Sequence, residues 1–157
     1  MQILCYMLLA SLPGIPCVFY GDETGMEGYH DPLCRRPFNW RNTTDNPRDA
    51  YADQILAAYR EIGKIRSESE VLVNGEFRIA YCDKNAAIIV RQYEKEVVAT
   101  VINRSDRKMS LYADCTFIDM ATSEKVMSPK INAKSVKYYK ILCADSEIDN
   151  ITFDVEI

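Results

Sequence analysis

The residues best equipped for chemistry lie between Gly21 and Trp40. Asp22, Glu23, Glu27 and Asp31 place four carboxyls in one short stretch. Two carboxyls about 5 to 5.5 Å apart across a glycosidic bond can cleave it with retention, one as nucleophile and one as general acid. An acid-rich loop therefore invites that reading, against the plainer one in which Asp22 and Glu23 accept backbone hydrogen bonds and pair with cations. Asp31 and Arg35 offer a carboxylate and a guanidinium, groups that make charge-assisted hydrogen bonds to neutral polyols and that can equally pair with each other to brace a loop. Arg36 reads as structural. His30 is the single histidine and lacks the partners that would make it a base or a metal ligand. Tyr29, Phe38 and Trp40 carry rings that can lie against a sugar or pack within the loop; packing is preferred for Phe38 and Trp40, and Tyr29 is kept as a candidate sugar contact. No Gly-rich phosphate loop, nucleophile elbow or catalytic Cys-His motif occurs, and no cofactor is expected.

The elements that position this loop follow from hydrophobic pattern. Residues 15–20 form an apolar run after the Pro13-Gly14 break, and a run apolar on both faces predicts a strand covered on both sides, as in a parallel sheet. Loops at the C-terminal ends of such strands are where barrel and doubly wound enzymes place their chemistry. Residues 1–12 read as the end of a buried helix, too short to span a bilayer and without a signal peptide's initial positive charge. Residues 41–48 are polar and turn-rich, and Asn46-Pro47 suits a helix start. Tyr51, Ile55, Ala58, Tyr59, Ile62 and Ile65 then recur at helical spacing, predicting a helix over 47–67.

From Val71 the period shortens. Apolar runs at 77–81, 86–93, 97–102, 109–112, 115–120 and 136–142 are separated by Asn74-Gly75, Asp83-Lys84-Asn85, Asn103-Arg104-Ser105-Asp106 and Ser128-Pro129. Short strands at that spacing predict an antiparallel sandwich or barrel. Its tyrosines, Tyr81, Tyr93, Tyr112, Tyr138 and Tyr139, read as strand residues and not as a binding platform. The acidic tail 144–157 adds either an edge strand over 151–157 or none.

The stretch LPGIPCVFYGDETGMEGYHDPLCRRPFNW, residues 12–40, resembles the segment of the α-amylase superfamily of glycoside hydrolases that holds the last strand of the (β/α)8 barrel and the loop after it. The run Asp31-Pro32-Leu33-Cys34-Arg35-Arg36-Pro37 most resembles the neopullulanase, cyclomaltodextrinase and maltogenic amylase branch. The resemblance implies an α+β chain: residues 1–68 as the last βα unit of a TIM barrel, 69–143 as the C-terminal β-sandwich and 144–157 as the tail. A whole barrel needs roughly 250 residues, so only its end is expected in this chain. The resemblance further implies that Asp31 and Arg35 contact sugar hydroxyls of an α-glucan oligosaccharide in the intact enzyme. The nucleophile and general acid of that superfamily come from earlier strands, so no catalytic residue is expected in this chain, which alone should be inactive. The intact protein would cleave α-glucosidic bonds in maltodextrins, cyclodextrins or pullulan by a retaining double displacement. The rival is a free-standing carbohydrate-binding or assembly module, which would need a row of exposed aromatics on one strand face.

Composition bounds both readings. The chain has 157 residues, 48% hydrophobic and 27% charged, enough apolar side chain for a sizeable core. Net charge is −4, from 19 Lys and Arg against 23 Asp and Glu, without a basic block, so a nucleic acid partner is not expected. A membrane partner is not expected either. The six cysteines contain no C-x-x-C pair, which leaves zinc unsupported and favours reduced thiols in a cytoplasm, with oxidised pairs still open. Because residues 15–20 would lack their neighbouring strands, self-association through residues 1–20 is expected, and the sandwich is expected to fold without the first 45 or so residues.

Overall fold

The structure is a computed structural model and describes residues 2–38, 40, 50–143 and 151–157. The expected cap at Asn46-Pro47 and the start of the acidic tail lie outside the described residues. Among the described residues three α-helices come first: α1 (Gln2–Ser11), α2 (Ala50–Ser67) and α3 (Glu70–Asn74). Nine strands follow: β1 (Glu76–Cys82), β2 (Ala86–Tyr93), β3 (Glu96–Asn103), β4 (Met109–Tyr112), β5 (Thr116–Asp119), β6 (Lys125–Val126), β7 (Lys130–Ile131), β8 (Ser135–Leu142) and β9 (Asp154–Glu156).

The strands make two antiparallel sheets. One runs β1-β2-β3-β8-β5-β6 and the other β7-β4-β9. Strand parity decides what each side chain meets, because successive residues face opposite sides. Ala86, Ile88 and Val90 of β2 and Val97, Ala99 and Val101 of β3 join Met109, Leu111, Ile131 and Phe153 in one buried cluster between the sheets. The opposite face of the large sheet meets the helices: Val98 packs with Val71 and Leu72 of α3, and Tyr138 packs with Ala10 of α1 and Ile62 of α2. The large sheet is covered on both sides, so β2 and β3 are buried almost continuously instead of alternating.

Turn chemistry sets the strand ends. Asp83 accepts backbone N–H bonds from Asn85 at 2.8 Å and Ala86 at 2.6 Å, closing the β1–β2 hairpin, and those two donors hold its carboxyl below the usual range. Asn103 is fully buried; its amide donates to the carbonyls of Arg107 (2.8 Å), Ile131 (3.2 Å) and Asn132 (3.0 Å), fastening the turn after β3 to β7. Gly75 lies where α3 turns into β1, and a Cβ there would stand 2.4 Å from the Val71 carbonyl oxygen and 2.7 Å from that of Gln92. Only glycine lets the backbones approach so closely.

Two expectations change. Residues 15–19 are irregular and no strand forms over 15–20. Ile15 is 96% and Phe19 58% exposed, so the run is not covered on both sides as a barrel strand would be. The reason is pairing: a strand is defined by hydrogen bonds to a neighbour, and no strand of either sheet pairs with this segment. The buried seam of α2 keeps Ile55, Tyr59 and Ile62, with Ala58 and Ile65 half-buried beside it, but departs from expectation at its start. Ala52, Ile55, Tyr59, Ile62 and Arg66 are buried, while Tyr51 faces solvent. The short β6, β7 and α3 carry no periodic signal and are additions to the expected layout. The tail does add an edge strand, since β9 pairs with β4 at Leu111 opposite Val155.

Candidate functional site

The polar loop begins after the chain leaves α1. A single 3-10 turn over Asp22–Thr24 rests on α2 through Gly25, whose left-handed backbone (φ 70°) leaves the Ile55 Cδ1 atom 2.6 Å from the place a Cβ would occupy. Glu23 accepts the Gly21 N–H at 2.8 Å. Asp22 accepts the Gln2 side-chain N–H through its backbone carbonyl at 2.6 Å. Burial raises the Tyr59 hydroxyl's pKa, and the nearby Asp22 carboxylate adds to that. The Glu23 carboxylate is thus engaged with backbone, as its plainer reading has it, while Asp22 is held through its backbone carbonyl.

Asp31 and Arg35 are brought together. Arg35 Nε lies 3.1 Å from Asp31 Oδ1 and Arg35 Nη2 donates to Asp31 Oδ2 at 3.3 Å, a two-pronged pair whose side chains are 73% and 65% exposed, Arg35 first. The turn beneath is tied by Leu33 N–H to the His30 carbonyl (3.0 Å) and Arg35 N–H to the Pro32 carbonyl (3.1 Å). Cys34 Sγ bonds Asp31 Oδ1 at 3.4 Å. The Asp31-Pro32 peptide is cis. Such an exposed pair stabilises the fold by only about 0 to 1 kcal/mol.

Tyr29 stands apart from that pair. Its ring lies under the Arg36 guanidinium, 5.4 Å from centroid to cation, and Arg36 is held in place because its carbonyl accepts the Tyr20 hydroxyl at 3.0 Å. Arg36 thus braces the loop. Phe38 and Trp40 pack on each other with centroids 4.6 Å apart. His30 is exposed.

The residues that tie the end of α1 and the chain leaving it to the rest of the molecule carry no motif that sequence reading could detect. Arg66, on α2, donates to the carbonyls of Ala10, Leu12 (3.3 Å) and Gly14 (2.5 Å), at the end of α1 and along its exit. Arg91, on β2 and 1% exposed, donates to the Ser11 (3.0 Å), Gly75 (2.6 Å) and Glu76 (3.3 Å) carbonyls. Two cations thus satisfy the carbonyls at the negative end of the α1 dipole. Burial, and then the Arg66 charge, lower the Arg91 pKa.

No family profile matches the chain. It is 32% identical over 99 residues to a cyclomaltodextrinase of Thermoanaerobacter pseudethanolicus, 63% of this chain and 16% of that protein. It is 31% identical over 121 residues to neopullulanase 2 of Thermoactinomyces vulgaris, 72% of this chain and 20% of that protein. Among solved structures, an α-amylase of Geobacillus thermoleovorans in complex with acarbose superposes with TM-score 0.76 at 23% identity, over 92% of this chain and 33% of that one. The chain spans a fifth or less of the length of the cyclomaltodextrinase and the neopullulanase. Relatives and fold together bear out the resemblance to the C-terminal part of the α-amylase-superfamily glycoside hydrolases.

Proposed function

We propose, from this kinship with the α-amylase superfamily, that the chain is the C-terminal part of a retaining α-glucan hydrolase acting on maltodextrin, cyclodextrin or pullulan. Residues 1–68 are the last βα unit of its barrel, with 15–20 becoming a strand only beside the other barrel strands. Residues 69–143 are its C-terminal sandwich. Asp31, Arg35 and Tyr29 contact the sugar in the whole enzyme, which works in the cytoplasm. The chain alone is inactive, because the nucleophile and general acid of that superfamily come from earlier barrel strands.

Support comes above all from the exposed apolar run Ile15, Val18, Phe19 and Tyr20, which leads into the Asp31–Arg35 loop. An apolar stretch left uncovered beside a polar loop is a surface suited to being covered by more protein. The rival module has less in its favour. Tyr138 and Tyr139 are buried, and the exposed Tyr93 and Tyr112 lie on different sheets, so they form no common platform.

Titration calorimetry of the purified chain with β-cyclodextrin and maltoheptaose separates the two. A hydrolase fragment should show no saturable binding through the sandwich. Saturable binding abolished by Tyr93→Ala or Tyr112→Ala would replace it with the binding module.

A further inference from the structure

We propose that Cys115 and Cys143 are a cross-strand thiol pair which a disulfide oxidant closes into a bond, locking the start of β5 to the end of β8. Thr116 of β5 is paired with Leu142 of β8 in the antiparallel ladder. Continued one residue beyond the ladder, the same register would set Cys115, just before β5, opposite Cys143, just after β8. Directly opposed residues of an antiparallel pair have Cα atoms about 4.5 to 5.5 Å apart and side chains on one face. That separation falls inside the range of about 4.4 to 6.8 Å that a disulfide requires.

The side chains agree with the register. Cys115 is buried in the sandwich core and Cys143 packs against the same cluster, half-buried. The two thiols lie near enough for each to shift the other's pKa, Cys143 raising that of Cys115 and Cys115 lowering that of Cys143. Both are free thiols in the structure. Cys34 bonds Asp31 instead, and Cys5, Cys17 and Cys82 are exposed.

Closure proceeds by two exchanges with a small disulfide such as oxidised glutathione. The more accessible Cys143 thiolate attacks one glutathione sulfur and expels the first glutathione thiolate. Cys115, deprotonated in turn, attacks Cys143 Sγ and expels the second. The two cysteines lose two protons and two electrons, and the oxidant becomes two thiols. Burial pushes the Cys115 thiol up to about 12 and raises Cys143 as well. Thiolate is therefore the minor form at neutral pH, which slows the exchange. The cross-link would tie two strands of the large sheet at one edge of the core, next to the point where β8 ends. None of this chemistry depends on the chain being part of a hydrolase.

The full chain, incubated with oxidised glutathione, is digested without reduction and its peptides mapped by mass spectrometry, and its melting is followed by calorimetry. The expected result is a Cys115–Cys143 cross-linked peptide and a melting temperature raised by about 5 to 10 °C, as for a closed loop of about thirty residues. Dithiothreitol should reverse both, and a Cys143→Ser chain should show neither. Separate glutathione adducts on the two cysteines without a cross-link, or a cross-link that leaves melting unchanged or lowers it, would overturn the proposal.

Discussion

Arg91 and the Asp31–Arg35 pair are charged groups with opposite duties, and burial separates them. Arg91 bonds three carbonyls inside the molecule, one of them 80 residues away in sequence. Nothing in the strand around Arg91 signals that, because a polar residue in an apolar strand ordinarily faces water. Arg91→Ala would leave buried carbonyls unpaired and should cost about 3 kcal/mol or more in chemical denaturation. Lysine, with one compact charge in place of a fork, should recover only part of it. Asp31 and Arg35 were legible as a pair from their types and spacing, though their role was not. Asp31→Ala and Arg35→Ala should leave melting nearly unchanged because the pair is exposed. In the whole enzyme each should lower kcat/KM by the equivalent of about 1.5 to 3 kcal/mol, measured on a cyclodextrin. A large loss of melting temperature with unchanged kinetics would assign them to bracing alone.

Elements with strong period and clear turns were legible, and those lacking either were not. β2 and β4 occupy the runs 86–93 and 109–112 read from the sequence. β6 and β7 have two residues each, too few to show a period. The run 15–20 looked like a strand because apolar content records what a segment would bury, while strand formation needs a partner. β8 shows a second kind of hidden information. Its adjacent tyrosines face opposite layers: Tyr138 donates its hydroxyl to the Met7 carbonyl of α1, and Tyr139 packs edge-on against Phe117 in the sandwich core. Burial raises both pKa values from the ordinary 10.0, Tyr139 to about 12 and Tyr138 as well. A folded-state pKa above the unfolded one favours the protonated fold, so this stability is complete below pH 10 and is lost as pH rises through 12. Denaturation midpoints should accordingly fall between pH 10 and 12, and less steeply in Tyr138→Phe. An equal slope in that variant would remove Tyr138 from the cause.

The whole molecule is layered as helices, large sheet and small sheet, and the layers are not independent. The sequence suggested a sandwich able to stand without the first 45 or so residues, yet Ser11 and Met7 accept bonds from Arg91 and Tyr138 of the sheet. Deleting α1 would orphan those donors and uncover the sheet face, so a shortened chain should be less stable than the full one. Among the described residues Ile15, Val18, Phe19 and Tyr20 form an uncovered apolar run. Exposed apolar surface of that kind draws chains together. Light scattering during size-exclusion chromatography should show concentration-dependent self-association, weakened by Ile15→Ser and Phe19→Ser; a monomer at high concentration would refute it.

Reducing-sugar release from β-cyclodextrin and pullulan by the purified chain tests the central claim most directly. The catalytic carboxyls of the proposed enzyme lie outside this chain, so no release above background is predicted. Release that vanishes in Asp22→Asn, Glu23→Gln or Asp31→Asn would contradict it, because a carboxyl of the loop would then be performing the hydrolysis.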